Sequence, residues 1–219
     1  AINWVLELYI HSSPLLGSFT LPQNNSSLQK LTMHSNLLSE IDLTQQTELT
    51  YLSLADDITS IDLSNNLQLA NLRLKEPSLV ELDISNNISL NSVILVSANS
   101  FSSLDFSNNI NLTELSIFSC TNLCSINLNQ NNLLEDFIMI GNTVMCDIDL
   151  SGCSSLINVD IQQNTPLVNI NVANGNNTNM NIFDASENSS LTCIKIDSGF
   201  TPTESNLYYD VNDPGYYTP

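Results

Sequence analysis

Seven positions, 20 to 22 residues apart, carry a carboxylate or its amide: Asp42, Asp62, Asp83, Asp105, Asn127, Asp149 and Asn171. If these residues stack, their carboxylates lie close enough to repel by about 1 kcal/mol per pair even at the dielectric of water, so something must offset the repulsion. Two uses offset it. One is cation capture, for which Ca²⁺ suits best because it takes several oxygens in loose geometry. On that reading Asp42, Asp62, Asp83, Asp105 and Asp149 are candidate metal ligands, although their spacing matches neither an EF-hand loop nor a glycine-rich calcium repeat. The other use is local: each Asp can bond a turn amide or the hydroxyl two residues on, at Ser64, Ser85, Ser107 and Ser151. The two histidines, His11 and His34, could share one edge, but no third ligand accompanies them. No nucleophile elbow, phosphate loop or Ser/His/Asp arrangement is present. Paired carboxylates are abundant, but acid–base work also needs a cleft that separates their pKa values. The chain is therefore not expected to be an enzyme.

The elements that must carry these residues are set by one spacing. An apolar-x-apolar pair recurs about every eleven residues, from Leu8 to Ile196. A further apolar residue stands three positions before each pair, as in Ile58, Leu69, Leu79, Leu90 and Phe101. The pair is a short strand with two side chains in and one out. No long window keeps helical spacing, so little or no helix is expected. Three residues after the pair stands Asn24, Asn36, Asn66, Asn87, Asn109, Asn131, Asn142, Asn164 or Asn188, with Cys120 and Cys153 in the same place. An inward Asn has two donors and an acceptor with which to satisfy turn groups that lack ladder partners.

The unit L-x-x-L-x-L-x-x-N/C-x-L resembles the leucine-rich repeat. With its full period of about 22 residues, it is similar to the short repeats of secreted and cell-surface proteins of Bacteroidetes, and the ending at 190–197 resembles the way those arrays close. The resemblance covers roughly residues 5–197. It implies a mainly β leucine-rich repeat solenoid of about nine coils, and a recognition or adhesion module that binds a protein or polysaccharide, secreted or at a bacterial cell surface. Here both halves of each coil carry the strand pattern, which predicts parallel strands on both faces.

Alternate half-coils stack separately, giving two outward faces. One holds the Asp column. The other is mixed, and Tyr51, Arg73, Ile94 and Ile138 are expected to be exposed on it. Tyr and Arg are frequent interface anchors and exposed apolar residues in a row mark contact surfaces, so these four are the candidate partner-binding residues. The step of 13 residues from Ile170 to Phe183 predicts a protruding loop at 174–179. Residues 1–197 are read as the array, starting near residue 5, and 198–219, with Tyr208, Tyr209, Tyr216 and Tyr217, as a terminal cap.

Composition narrows the partners. Four basic residues against 23 acidic ones leave a net charge of −19. Nucleic acid and anionic lipid need clustered Lys and Arg, so both are excluded. No run of 18 apolar residues is present for membrane insertion. Five cysteines in 219 residues do not make a disulfide framework. Cys124 and Cys146 lie one coil apart and are expected to be free thiols. The repeat is already running at Val5, and the chain reads as a mature product or an excised fragment.

Overall fold

The computed structural model describes residues 6–11, 19–21, 27–34, 38–201, 207–208 and 217–218. Asn24, Asn36, Trp4, Tyr209, Tyr216 and the segment 210–215 lie outside the described residues. The eleven-residue pairs become strands, and these stack in parallel into a solenoid. A ten-stranded sheet runs along one side. Its rungs are Glu7–His11, Lys30–His34, Tyr51–Ala55, Asn71–Lys75, Ser92–Val96, Glu114–Phe118, Asp136–Ile140, Asn158–Asp160, Ile182–Asp184 and Leu207–Tyr208. The opposite side carries shorter strands in three groups. Glu40–Ile41 pairs with Ser60–Ile61, and Ser103–Asp105 with Ser125–Asn127. A four-stranded group joins Asp147–Asp149, Asn169–Asn171, Cys193–Lys195 and Tyr217–Thr218. Strands thus form on both faces, as the sequence predicts. The described pieces of the 198–219 segment add one rung to each side, Leu207 beside Phe183 and Tyr217 beside Ile194.

The apolar pairs point inward and meet across the coil. Leu52 with Leu54, Val93 with Leu95, and Phe137 with Met139 come from one side; Leu104 with Phe106 and Ile148 with Leu150 come from the other. The leading apolar position closes the core at the turns, where Leu49, Leu69, Leu90, Leu112, Leu134 and Leu156 are all fully buried. One apolar core results, continuous along the stack. Helix is confined, among the described residues, to the 3-10 turn Asn177–Asn179, and no helix of these residues is long and apolar enough to cross a membrane.

The Asn residues resolve into two columns, one at each edge, that bond differently. At the turns after the shorter strands, the Asn66, Asn87, Asn109 and Asn131 side-chain amides each donate to two carbonyls of the preceding coil. Asn109, for example, donates to Ile84 and Asn87, at 3.0 and 2.9 Å. Their Oδ1 atoms are buried without a hydrogen-bond partner. The reason lies in the turn: its backbone N–H is already bonded three residues back, as Asn109 N–H is to Phe106 O. At the turns after the long sheet, Oδ1 is used. Asn142, Asn164 and Asn188 accept from the backbone N–H of Cys120, Asn142 and Asn164, at 2.9, 2.9 and 2.8 Å. The residue before the turn amide is here left-handed: Ser119, Gly141 and Gln163 have φ of 55°, 73° and 58°. That twist turns the next N–H toward the following coil instead of back into its own turn.

Coils also meet by direct backbone approach. A Cβ on Gly152 would lie 2.8 Å from the carbonyl oxygen of Asn129 in the coil before. No side chain fits there without parting the coils. Gly152→Ala is therefore expected to cost about 1–3 kcal/mol, in the range of overpacked interiors, measurable by urea unfolding.

The 174–179 segment exposes Gly175, Thr178 and Asn179 but turns two of its Asn side chains inward. Asn174 and Asn177 are buried. Asn177 receives the backbone N–H of Asp197 on its Oδ1 at 2.7 Å and donates to Val172 O at 2.6 Å. The extra residues let an Asn side chain reach the interior position that the regular turn would have filled.

Candidate interaction surface

On the acidic side, every Asp of the predicted column is committed to its own turn. Asp42 accepts from the Thr44 amide and hydroxyl at 2.9 and 2.6 Å, and Asp83 from those of Ser85 at 3.0 and 2.6 Å. Asp62 accepts from the Ser64 amide at 2.9 Å. Asp105 and Asp149 accept from the amides of Ser107 and Ser151, and also from Asn127 and Asn171 in the next coil, both at 3.0 Å. Alternating Asp with Asn converts repulsion between rungs into a hydrogen bond. These bonds hold the carboxyls of Asp42, Asp62 and Asp83 below the usual range, through the Thr44, Ser64 and Ser85 hydroxyls and then their amides. For Asp105 the Ser107 amide leads. Among the described residues no three His, Cys, Asp or Glu are grouped to hold a metal ion.

Two tests follow for this column. A carboxyl whose pKa is lowered on folding adds stability that is complete above its unfolded value, 3.8 for Asp83. That stability is lost as pH falls through the lower folded value. The difference in Tm between the native chain and Asp83→Ala should hold from pH 7 to 5 and shrink as pH falls below 3.8. Calcium or EDTA at neutral pH is expected to leave the Tm unchanged; a rise with Ca²⁺ that Asp83→Ala abolishes would assign the column to cation binding instead.

The other face is not repetitive. Register along the long sheet sets Tyr9, Thr32, Ser53, Arg73, Ile94, Ser116, Ile138, Asp160 and Asp184 in one outward row. Tyr51 lies in the parallel row two residues earlier, which also carries Glu7, Lys30, Glu114, Asp136 and Asn158. All four predicted partner-binding residues thus share this face. Arg73 is exposed as expected, whereas Tyr51, Ile94 and Ile138 are only half exposed. Strands about 4.8 Å apart bring their outward side chains into mutual contact, and each shields the next. The same effect buries Thr32 and Ser53, which the alternation leaves pointing out.

The front of this face satisfies itself. Lys30 pairs with Glu7 at 2.7 Å, and Tyr9 donates to the same carboxylate at 3.1 Å. His34 Nε2 lies 3.0 Å from Ser53 Oγ, and the His11 and His34 rings meet edge-on with centroids 5.1 Å apart.

The rear holds a hollow of about 380 Å³ lined by Glu114, Ser116, Asp136, Ile138, Asn158, Val159, Asp160 and Ile182. Asn158 donates to Asp136 at 2.6 Å, and Gln162 to Asp184 at 3.0 Å. Asp160 is the unusual member. Its Oδ1 is buried and has no hydrogen-bond partner. Burial pushes its carboxyl above the usual carboxylate range, a Gln162 hydrogen bond opposes this, and the Asp184 charge adds to it. Of the hollow, only Ile138 is among the four residues singled out from sequence. The usable signal for the rest was a carboxylate, Asp160, directly after an apolar residue in an outward row.

A second hollow, about 530 Å³, lies on the acidic side against Phe19, Glu40, Asp42 and Asp62. A third feature escapes the heptad-free repeat pattern as well: Leu67, Ile88 and Ile110 follow the Asn of the turn and stand 50%, 56% and 52% exposed along one edge.

The cysteines are free thiols. Cys153 takes the Asn place at one edge, where its Sγ donates to Leu128 O at 3.6 Å in place of an amide, and burial pushes its pKa up to about 12. Cys120 takes that place at the other edge, with burial pushing its pKa up to about 11.

No family model matches the chain, and no curated protein matches it. Solved structures do. The leucine-rich repeat domain of APL1B aligns at 21% identity and a TM-score of 0.61, covering 90% of this chain and 64% of that one. The functional domain of InlJ from Listeria monocytogenes, which includes a cysteine ladder, aligns at 19% identity and a TM-score of 0.52, covering 88% and 45%. The present chain spans less than two thirds of either, and its own Cys120 and Cys153 stand at opposite edges rather than in one ladder. Parallel strands, the inward apolar triads and these alignments agree: the chain is built as a leucine-rich repeat solenoid.

Proposed function

We propose that the chain is a non-enzymatic recognition module that binds a protein through the outward face of its ten-stranded sheet, and that it works secreted or at the surface of a bacterial cell. One observation carries the surface assignment. The edge after the shorter strands repeats Asn66, Asn87, Asn109 and Asn131 with the same pair of bonds, and the acidic column holds only Asp or Asn, whereas this face changes from Arg73 to Ile94, Ser116, Ile138 and Asp160. A scaffold needs repetition; recognition of a particular partner needs variation on a rigid frame. The location rests on the resemblance to short bacterial surface repeats, and the segment 198–219 is read as closing the stack.

The experiment is selection from a random displayed-peptide library and, in parallel, a glycan array, against the native chain and Arg73→Ala with Ile94→Asp. Peptides that bind the native chain and are lost with the double variant support the reading. Binding by glycans alone would replace the protein partner with a polysaccharide, and binders indifferent to both substitutions would reject this face.

A further inference from the structure

We propose that the row formed by Leu67, Ile88 and Ile110 is where two copies of the chain meet, antiparallel about a two-fold axis at Ile88. This contact lies on the turn edge, so it is separate from the ten-stranded face and goes beyond the role given to that face. The three side chains follow the turn asparagines on successive coils and are half or more exposed. The fold does not require them to be apolar: the same place holds Thr47, Asn132 and Ser154 in other coils, all exposed. Their polar neighbours are already used within the chain. Asn65 and Asn108 donate to Thr44 O and Ser85 O at 3.1 and 3.2 Å, and Ser89 and Asn111 to Leu67 O and Ile88 O at 2.9 and 2.8 Å. What this edge offers a partner is its apolar row.

Charge selects the second copy and the place where it fits. A chain of net charge −19 repels its own kind. Approach by either flat side sets carboxyl against carboxyl, Asp42, Asp62 and Asp83 on one and Glu114, Asp136 and Asp160 on the other. The Leu67 edge is different. Segments 65–70, 86–91 and 108–113 contain no charged residue, and Glu48 and Glu135 bound them in the coils before and after. The opposite edge is uncharged over 97–102 and 119–124 as well, but there it exposes Asn99 and Asn122. An anionic membrane finds no Lys or Arg in the three segments to hold it. Coils about 4.8 Å apart give the row a fixed pitch, which a second stack repeats. A two-fold axis at Ile88 sets that residue against its mate and Leu67 against Ile110 of the other copy. The row presents about 300 Å² of apolar surface, well below the roughly 800 Å² per partner of a stable interface, so the dimer is weak and reversible.

The test is analytical ultracentrifugation of the native chain from micromolar to millimolar concentration. The mean mass should rise from one chain toward two as concentration increases. The dissociation constant should fall roughly tenfold between about 0.1 and 1 M NaCl, as the screening length shrinks from about 10 to about 3 Å. Ile88→Asp and Ile88→Lys should each weaken association more than tenfold, because the axis sets like charges face to face. Their equimolar mixture should associate again, because it sets Asp against Lys. Asn99→Asp, which adds the same charge on the opposite edge, should associate like the native chain. Residue 88 is exposed and polar residues stand at its place in other coils, so the variants are expected to fold, and circular dichroism with thermal melting checks this. A native chain that stays monomeric at millimolar concentration in high salt would overturn the proposal. So would undiminished association of Ile88→Asp, an equal loss in Asn99→Asp, or a mixture that stays monomeric. Library peptides that shift Ile88 and Ile110 of a chain that never dimerises would assign the row to a foreign partner instead. None of these outcomes bears on binding at the ten-stranded face, which Arg73→Ala with Ile94→Asp tests on its own.

Discussion

Replacing Asn164 with Ala should destabilise the chain by about 3–5 kcal/mol, and replacing Asn109 with Ala by only about 2 kcal/mol. Both residues are fully buried and occupy the same place in the repeat. They differ in what they leave behind. Asn164 donates to Met139 O and Gln162 O, both at 2.8 Å, and accepts from the Asn142 backbone and side chain at 2.9 and 3.1 Å. Alanine there strands a buried N–H and a buried C=O in the preceding coil. Asn109 also serves two carbonyls, but its Oδ1 already lacks a partner, so its loss removes one cost while creating others. Asn109→Cys should fall between Ala and the native residue, because Cys153 shows the thiol reaching one of the two carbonyls. At roughly 2–4 °C per kcal/mol for a chain of this size, the Asn164→Ala loss corresponds to a fall in Tm of about 10 °C. Urea and thermal unfolding of the three variants check the order; equal losses at the two edges would contradict the distinction between their turns.

Phe137→Ala is expected to cost about 3–5 kcal/mol as well, for a different reason. Phe137 is fully buried and lies between Leu115 and Val159 on the neighbouring rungs. A solenoid contacts only its neighbours, so the void opens between three coils and no distant element can move in to fill it. The effect should also reach function. Val159 lines the hollow from beneath, and Ile138 follows Phe137 directly on the outward side. Loosening that rung should weaken binding of a library-selected peptide to the sheet face at temperatures where the chain is still folded. Phe137→Leu, which fills more of the space, should recover most of both losses. Calorimetric unfolding and titration with the selected peptide measure the two effects separately.

The scaffold was legible because its physics is periodic. Apolar pairs, the leading apolar position and the Asp turns each recur with fixed spacing, and the structure places them inward or in their own turns accordingly, from Leu52 with Leu54 to Asp83 with Ser85. The two kinds of Asn turn were not legible, since the same residue type marks both. The left-handed residues that distinguish them are Glu76, Ser97, Ser119, Gly141, Gln163 and Glu187, and a single glycine among six is no signature. Exposure on the sheet face was overestimated for Tyr51, Ile94 and Ile138 because alternation tells which way a side chain points, not how tightly its neighbours in the next rungs close around it. The hollow needed three dimensions: its residues come from four strands, 114 to 182, and Asp160 differs from other outward acids by the burial of one oxygen.

The central claim is that recognition belongs to the ten-stranded face. Isoleucine-methyl NMR of the chain with a library-selected peptide tests it most directly, since isoleucines report separately on each surface. Binding is predicted to shift Ile94, Ile138 and Ile182 while Ile88 and Ile110 on the turn edge and Ile126 on the acidic side stay in place. Shifts confined to Ile88, Ile110 or Ile126 would contradict the account.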